Sequence, residues 1–125
     1  MTRREVRTGA AAAPVGTCSQ GIVAGGFLFT SGCTPHAPGS RRVAPTVSGQ
    51  TRQALENIRA ILAEHDLTLD DVVRCTVYLQ HINQDFAEFD AAFAELFTPP
   101  GPARTTVGSD LLDVLVTVDA VAPLR

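Results

Sequence analysis

Lysine is absent from this sequence. All ten basic residues of the 125-residue chain are arginine, so no side-chain amine is available to form a Schiff base with a carbonyl substrate or with pyridoxal phosphate. That route to carbon and nitrogen chemistry is excluded. Tryptophan is missing too, and with a single tyrosine the aromatic content rests on six phenylalanines, four of them crowded between positions 86 and 97. No apolar run reaches the roughly 18 residues that a membrane span needs. The opening residues, MTRREVRTGAAAAP, contain no secretory hydrophobic segment, so a cytoplasmic protein without a membrane partner is expected. Three cysteines, an odd number with no C-x-x-C pair, fit a reducing compartment better than a disulfide framework. His36, His65 and His81 are dispersed, and no metal site is expected from their spacing. The net charge of −3 leaves no basic stripe for phosphate contacts, and Arg3, Arg4 and Arg7, the only basic cluster, read as a solvated chain end. No nucleic-acid partner is expected.

What is present is the composition of one packed domain spanning residues 1–125, with 45% hydrophobic and 18% charged residues. Residues 19–24 and 27–31 are β-branched or aromatic runs flanking Gly25-Gly26, which predicts a hairpin whose paired residue numbers sum to 51. A Pro/Gly-rich loop leads to the segment 46–65, where Val47, Ala54, Leu55, Ile58, Ile61 and Leu62 recur at helical spacing. Residues 70–80 alternate as a strand, with Val73, Cys75, Val77 and Leu79 on one face and Val72, Arg74, Thr76 and Tyr78 on the other. A second helix is expected over 85–97, its phenylalanine stripe facing the core. The run Pro99-Pro100-Gly101-Pro102 then feeds strands at 103–109 and 114–122, and a short extra strand fits at 5–8. Two helices cover one face of such a sheet. The other face, carrying Val72, Tyr78, Leu115 and Val121, is too apolar to stand in water, so self-association is expected, with pockets at the seams.

Several polar residues stand out against this frame. Arg104 and Thr106 share a strand face. A half-buried guanidinium needs a planar anion, so Arg104 is either a clamp for a ligand carboxylate or one half of an internal ion pair with Asp119 or Asp90. Asp119 is surrounded by apolar strand positions; burial would raise its pKa and a nearby arginine would lower it, leaving it a proton acceptor or a counter-ion. Extending the hairpin register puts Cys18 opposite Cys33. The pair is then two reduced thiols at a pocket rim, a redox or nucleophilic site, or a position shifted by a bulge. Cys75 reads as a small buried hydrophobe.

Five segments in order resemble the YjgF/RidA (UK114-like) family: Gly16-Thr17-Cys18-Ser19-Gln20, Phe29-Thr30-Ser31-Gly32, Gln50 to Ile58, Arg74 to Leu79, and Pro102-Ala103-Arg104-Thr105 with Val118 to Ala122. The resemblance implies an α+β, chorismate-mutase-like mixed sheet with two helices on one face, forming a homotrimer with clefts between subunits. It also implies hydrolysis of reactive 2-imino or enamine acids to 2-keto acids and ammonia, without cofactor or metal. Arg104 would hold the carboxylate of a small substrate, Asp119 would hold the attacking water, and Ser31 and Gly32 would form cleft wall. Thr106, Cys18, Cys33 and Asp90 complete the expected substrate-binding set. The chain departs from the family pattern at four of these positions and at the acid: Cys18 stands for tyrosine, Cys33 for glutamine, Asp90 for asparagine, Thr106 for cysteine and Asp119 for glutamate. These departures point to two alternatives on the same fold, an enzyme for a bulkier acidic substrate or a non-catalytic ligand-binding trimer.

Overall fold

The computed structural model describes residues 2–125. Strand β1 (Arg4–Val6) is followed by a hairpin of β2 (Gly21–Ala24) and β3 (Phe27–Thr30), helix α1 (Val47–Ala63), β4 (Arg74–Leu79), helix α2 (Ile82–Ala94), β5 (Ala103–Gly108) and β6 (Val116–Pro123). The six strands form one mixed sheet in the order β1-β2-β3-β6-β4-β5. Every neighbouring pair is antiparallel except β4 and β5, which α2 connects as a parallel crossover. This is the expected mixed sheet.

The hairpin turns on Gly25 and Gly26, whose φ angles of 60° and 85° are the left-handed conformations that favour glycine. Its pairs, Gly21 with Thr30 through Ala24 with Phe27, sum to 51 as expected. The extrapolation to the cysteines fails. The β2–β3 pairing ends with the bond from the Ser31 N–H to the Gln20 carbonyl, Cys33 crosses to an isolated bridge with Val118, and Cys18 lies exposed just after a turn, so the two do not face each other and all three cysteines are free.

Helix α1 starts where Thr46 Oγ1 accepts the Gly49 N–H at 3.1 Å. Its stripe of Val47, Ala54, Leu55, Ile58, Ile61 and Leu62 is buried against the alternate residues of the sheet that point the same way: Leu28, Cys75, Val77, Leu79, Val116, Val118, Ala120 and Ala122. Asp70 and Asp71, read from sequence as the start of a strand, belong instead to a single 3-10 turn over Leu69–Asp71. Asp71 Oδ2 accepts the Thr68 N–H at 2.7 Å, and Arg125 pairs with the same carboxylate. Val72 is consequently in the core at 6% exposure, not on the uncovered face, and Leu115 likewise packs against the core. Helix α2 lies three residues earlier than expected at both ends.

The uncovered face combines apolar and polar patches. Phe27 and Phe29 are 40% and 43% exposed, Val121 pairs with Phe29, and Tyr78, Thr76 and Asp119 continue the face across β4 and β6. Asn57 ties the loop before α1 to the helix layer. It is 2% exposed, and its Nδ2 donates to the Thr34 and His36 carbonyls at 2.9 Å while Oδ1 accepts from Ala12. Asn57→Ala strips these three bonds, and the one Oδ1 accepts from Gln53 Nε2 at 3.2 Å, from a buried site, so a loss of about 2–4 kcal/mol is expected, measured as a lowered urea midpoint at unchanged slope.

Candidate active site

Arg104 takes its position from the β4–β5 register. It pairs with Cys75, which in turn pairs with Ala120 on β6. Both are fully buried under the helices, so Arg104 also leaves the sheet on the helix side. It meets α2 there. The guanidinium carbon lies 4.7 Å from the Phe93 ring centroid, 5.1 Å from Phe89 and 5.8 Å from Phe86, an aromatic platform that attracts the charge and holds its plane. Nε donates to Thr106 Oγ1 at 3.0 Å, and Nη2 pairs with Asp90 Oδ1 at 2.9 Å. Among the described residues these bonds occupy Nε and Nη2, and Nη1 has no protein partner. Of the two internal partners the sequence allowed, the structure selects Asp90. The Arg104 side chain is 19% exposed and that of Asp90 51%, so the pair meets water on its acidic side and contributes modestly to stability.

Beside the guanidinium opens a trough of about 420 Å³ lined by Phe93, Ala94, Phe97, Pro99, Gly101, Pro102 and Arg104. A larger depression of about 570 Å³ at the other end of the strands is bordered by Gln80, His81 and Asp113 and contains none of the expected site residues. Among the described residues no cluster of histidine, cysteine and carboxylate side chains is arranged to hold a metal ion, and no helix is long and apolar enough to cross a membrane.

Asp119 sits elsewhere. It pairs with Thr76 across β4–β6, which puts it on the uncovered face, the opposite side of the sheet from Arg104. Its carboxyl is raised above the usual carboxylate range, chiefly by burial. The Thr76 hydrogen bonds, one from the backbone N–H to Oδ1 at 3.3 Å, and the charge of Arg74 act against that rise. The cation acting on Asp119 is therefore Arg74, held beside it by a bond from Nη2 to Thr105 Oγ1, and not Arg104.

The remaining expected residues fall into two groups. Thr106 and Asp90 converge on Arg104 as described. Ser31 donates to the Ser19 carbonyl, joining two of the segments that carry the resemblance, and next to it a side chain at Gly32 would meet nothing within 4 Å. Burial pushes the Cys33 thiol up to about 12, with a nearby Asp119 adding to the rise and a Thr30 hydrogen bond opposing it. Cys75 is raised to about 12 for the same leading reason. Both stay protonated at neutral pH and are inert as nucleophiles. The phenylalanine platform under Arg104 escaped the sequence reading, which assigned the whole stripe to the core. The 86, 89, 93 spacing was visible, but not that it would face β5.

An arginine held on phenylalanine rings at the edge strand of a mixed sheet, backed by two helices, marks a small α+β protein. Residues 8–124 match the family model described as Endoribonuclease L-PSP. The chain belongs to this family, the YjgF/RidA proteins. It is 43% identical to a RutC family protein of Pyrococcus horikoshii over 112 residues, 87% of this chain and 88% of that one. It is 36% identical to a 2-iminobutanoate/2-iminopropanoate deaminase of Salmonella typhimurium, covering 98% of both chains. The crystal structure of Escherichia coli TdcF with bound serine superimposes with a TM-score of 0.89 at 29% identity, covering 98% of this chain and 99% of that one.

Proposed function

We propose that this protein hydrolyses reactive 2-imino acids, and the enamines in equilibrium with them, to 2-keto acids and ammonia without a cofactor, holding the substrate carboxylate on Arg104. The observation that carries this is the guanidinium itself, fixed on phenylalanine rings with Nη1 unpaired and lining an open trough. Two relatives support it: one is named a deaminase of short 2-imino acids, and the other is a protein crystallised with serine, a small ligand that bears a carboxylate.

The chemistry asks little of the protein. An imine carbon is already electrophilic, so positioning and proton transfer suffice. Water adds to that carbon as Asp119 takes one of its protons and passes it to the imine nitrogen, giving the neutral carbinolamine; Asp119 then takes the hydroxyl proton and delivers it to the amino nitrogen as the C–N bond breaks, leaving the ketone and ammonia. Arg104 and Asp119 leave one sheet on opposite faces, so association of copies is what brings them to one ligand. The proposal therefore includes a homotrimer with its sites at the seams, covering Phe27 and Phe29. A ribonuclease role is disfavoured by the net charge of −3, which leaves no basic groove for a phosphate backbone.

The test is ammonia release from imines generated in place by an amino-acid oxidase. Acceleration over the spontaneous rate is expected, and none at micromolar protein overturns the proposal. Asp90 adds a discriminating result. It competes with the substrate carboxylate for the guanidinium, while Thr106 and the rings hold Arg104 without it. Asp90→Asn is expected to lower KM about threefold to tenfold, in line with loss of a partly exposed ion pair, with kcat little changed in steady-state assays.

A further inference from the structure

The trough beside Arg104 has a chemistry of its own. Its walls are Phe93, Ala94, Phe97, Pro99 and Pro102, with Gly101 between the prolines, and Arg104 is its only charged residue. Phe93 and Phe97 stack on each other at 4.5 Å between centroids, with ring planes 26° apart, and both rings line the trough. Pro99 and Pro102, which also line it, have fixed φ angles and few accessible states, so that part of the cavity is pre-shaped. A cavity of about 420 Å³ lies within the size range of small-molecule sites, which are mostly apolar with a few orienting polar groups.

We infer that this trough receives the substrate's side chain, so that the preferred 2-imino acids are those with branched aliphatic or aromatic side chains. The inference rests on Arg104 holding the substrate carboxylate, as proposed above. A carboxylate on Nη1 directs the rest of the ligand along the Phe93–Phe97 wall. A methyl side chain leaves most of that space to water, whereas an isobutyl or benzyl group displaces it and buries apolar surface on both partners. No carboxylate lines the trough to receive a cationic side chain, and a second anion in the ligand would find no second arginine there.

Gly101 gives the means of testing this, because a Cβ added there meets nothing within 4 Å. Gly101→Val thus narrows the trough without striking the backbone, and Gly101→Ala is a milder version if the valine variant folds poorly. Imines of alanine, leucine and phenylalanine are generated by D-amino-acid oxidase from the D-amino acids, since C2 of the imine has no handedness. The expected result is a kcat/KM at least about tenfold higher for the leucine- and phenylalanine-derived imines than for the alanine-derived one, a ratio in the range that a few methylenes provide. Gly101→Val should shrink that ratio about tenfold. A ratio near one, or one that Gly101→Val leaves intact, overturns the inference while the deaminase function stands. If no imine is turned over, the function has failed, and the side-chain claim is decided by calorimetry. Phenylpyruvate must then bind about tenfold tighter than pyruvate and lose that advantage in Gly101→Val; equal binding overturns it.

Discussion

Arg104→Ala is expected to lower kcat/KM for 2-imino acids by about 10²–10³, the loss typical of removing one partner from a hydrogen-bonded charge pair. The effect is large because little else nearby can replace the guanidinium. The trough is otherwise uncharged, and Arg74, the cation nearest the acid on the uncovered face, is separated from it by the sheet and is bonded to Thr105. The fold should tolerate the change. Arg104 lies on the edge strand β5, and its partner Asp90 is half exposed, so water can take over from the lost cation. A melting temperature within a few degrees of the parent, measured beside the ammonia assay, separates lost chemistry from lost structure.

Arg104→Lys sharpens the test. Lysine restores the positive charge but not the planar fork, and it cannot bond Thr106, Asp90 and a ligand from three edges while lying flat on phenylalanine rings. An intermediate rate is expected, nearer that of Arg104→Ala. Full activity in either variant would remove Arg104 from the site and leave the trough without its anchor.

How much of this was legible in the sequence depended on distance along the chain. The β2–β3 register followed from two glycines, because a two-residue turn sets the pairing of the strands it joins. The same rule misled at Cys18 and Cys33, since a turn governs register only as far as the ladder continues, and here Cys33 leaves it to pair with Val118. Helix α1 was legible from periodicity alone. The order β6-β4-β5 was not, because no local signal says which strands of 103–109, 114–122 and 70–80 become neighbours. That order decides the site. It places Arg104 opposite Cys75, hence under α2 beside Asp90, and Asp119 opposite Thr76, hence on the other face beside Arg74. Arginine and acid were each recognisable by residue type and by their resemblance to a family pattern. Their separation became visible only with the strand pairing.

Asp119→Asn is expected to change activity and stability in opposite directions. As a proton acceptor for water, Asp119 contributes on the scale of general-base catalysis, so its replacement should lower kcat by about 10²–10⁴. Because burial raises its carboxyl above the ordinary range, the proposed deaminase activity of the parent protein should fall as pH drops through that raised value, earlier than an unperturbed aspartate would allow. Asp119→Asn should remove this acidic limb from what activity remains. The same shift fixes the sign for folding. A carboxyl with a folded pKa above its unfolded one favours the native state fully at pH values below both, and that contribution is lost as pH rises through the folded value. At neutral pH the folded protein therefore carries a partly desolvated charge as a cost, which asparagine lacks while keeping an oxygen for the Thr76 N–H. Asp119→Asn should melt higher than the parent at neutral pH, with the difference shrinking in acid. Unchanged kcat together with raised stability would make Asp119 a burden of the uncovered face with no part in turnover, whereas lost activity with lost stability would make it a structural counter-ion to Arg74.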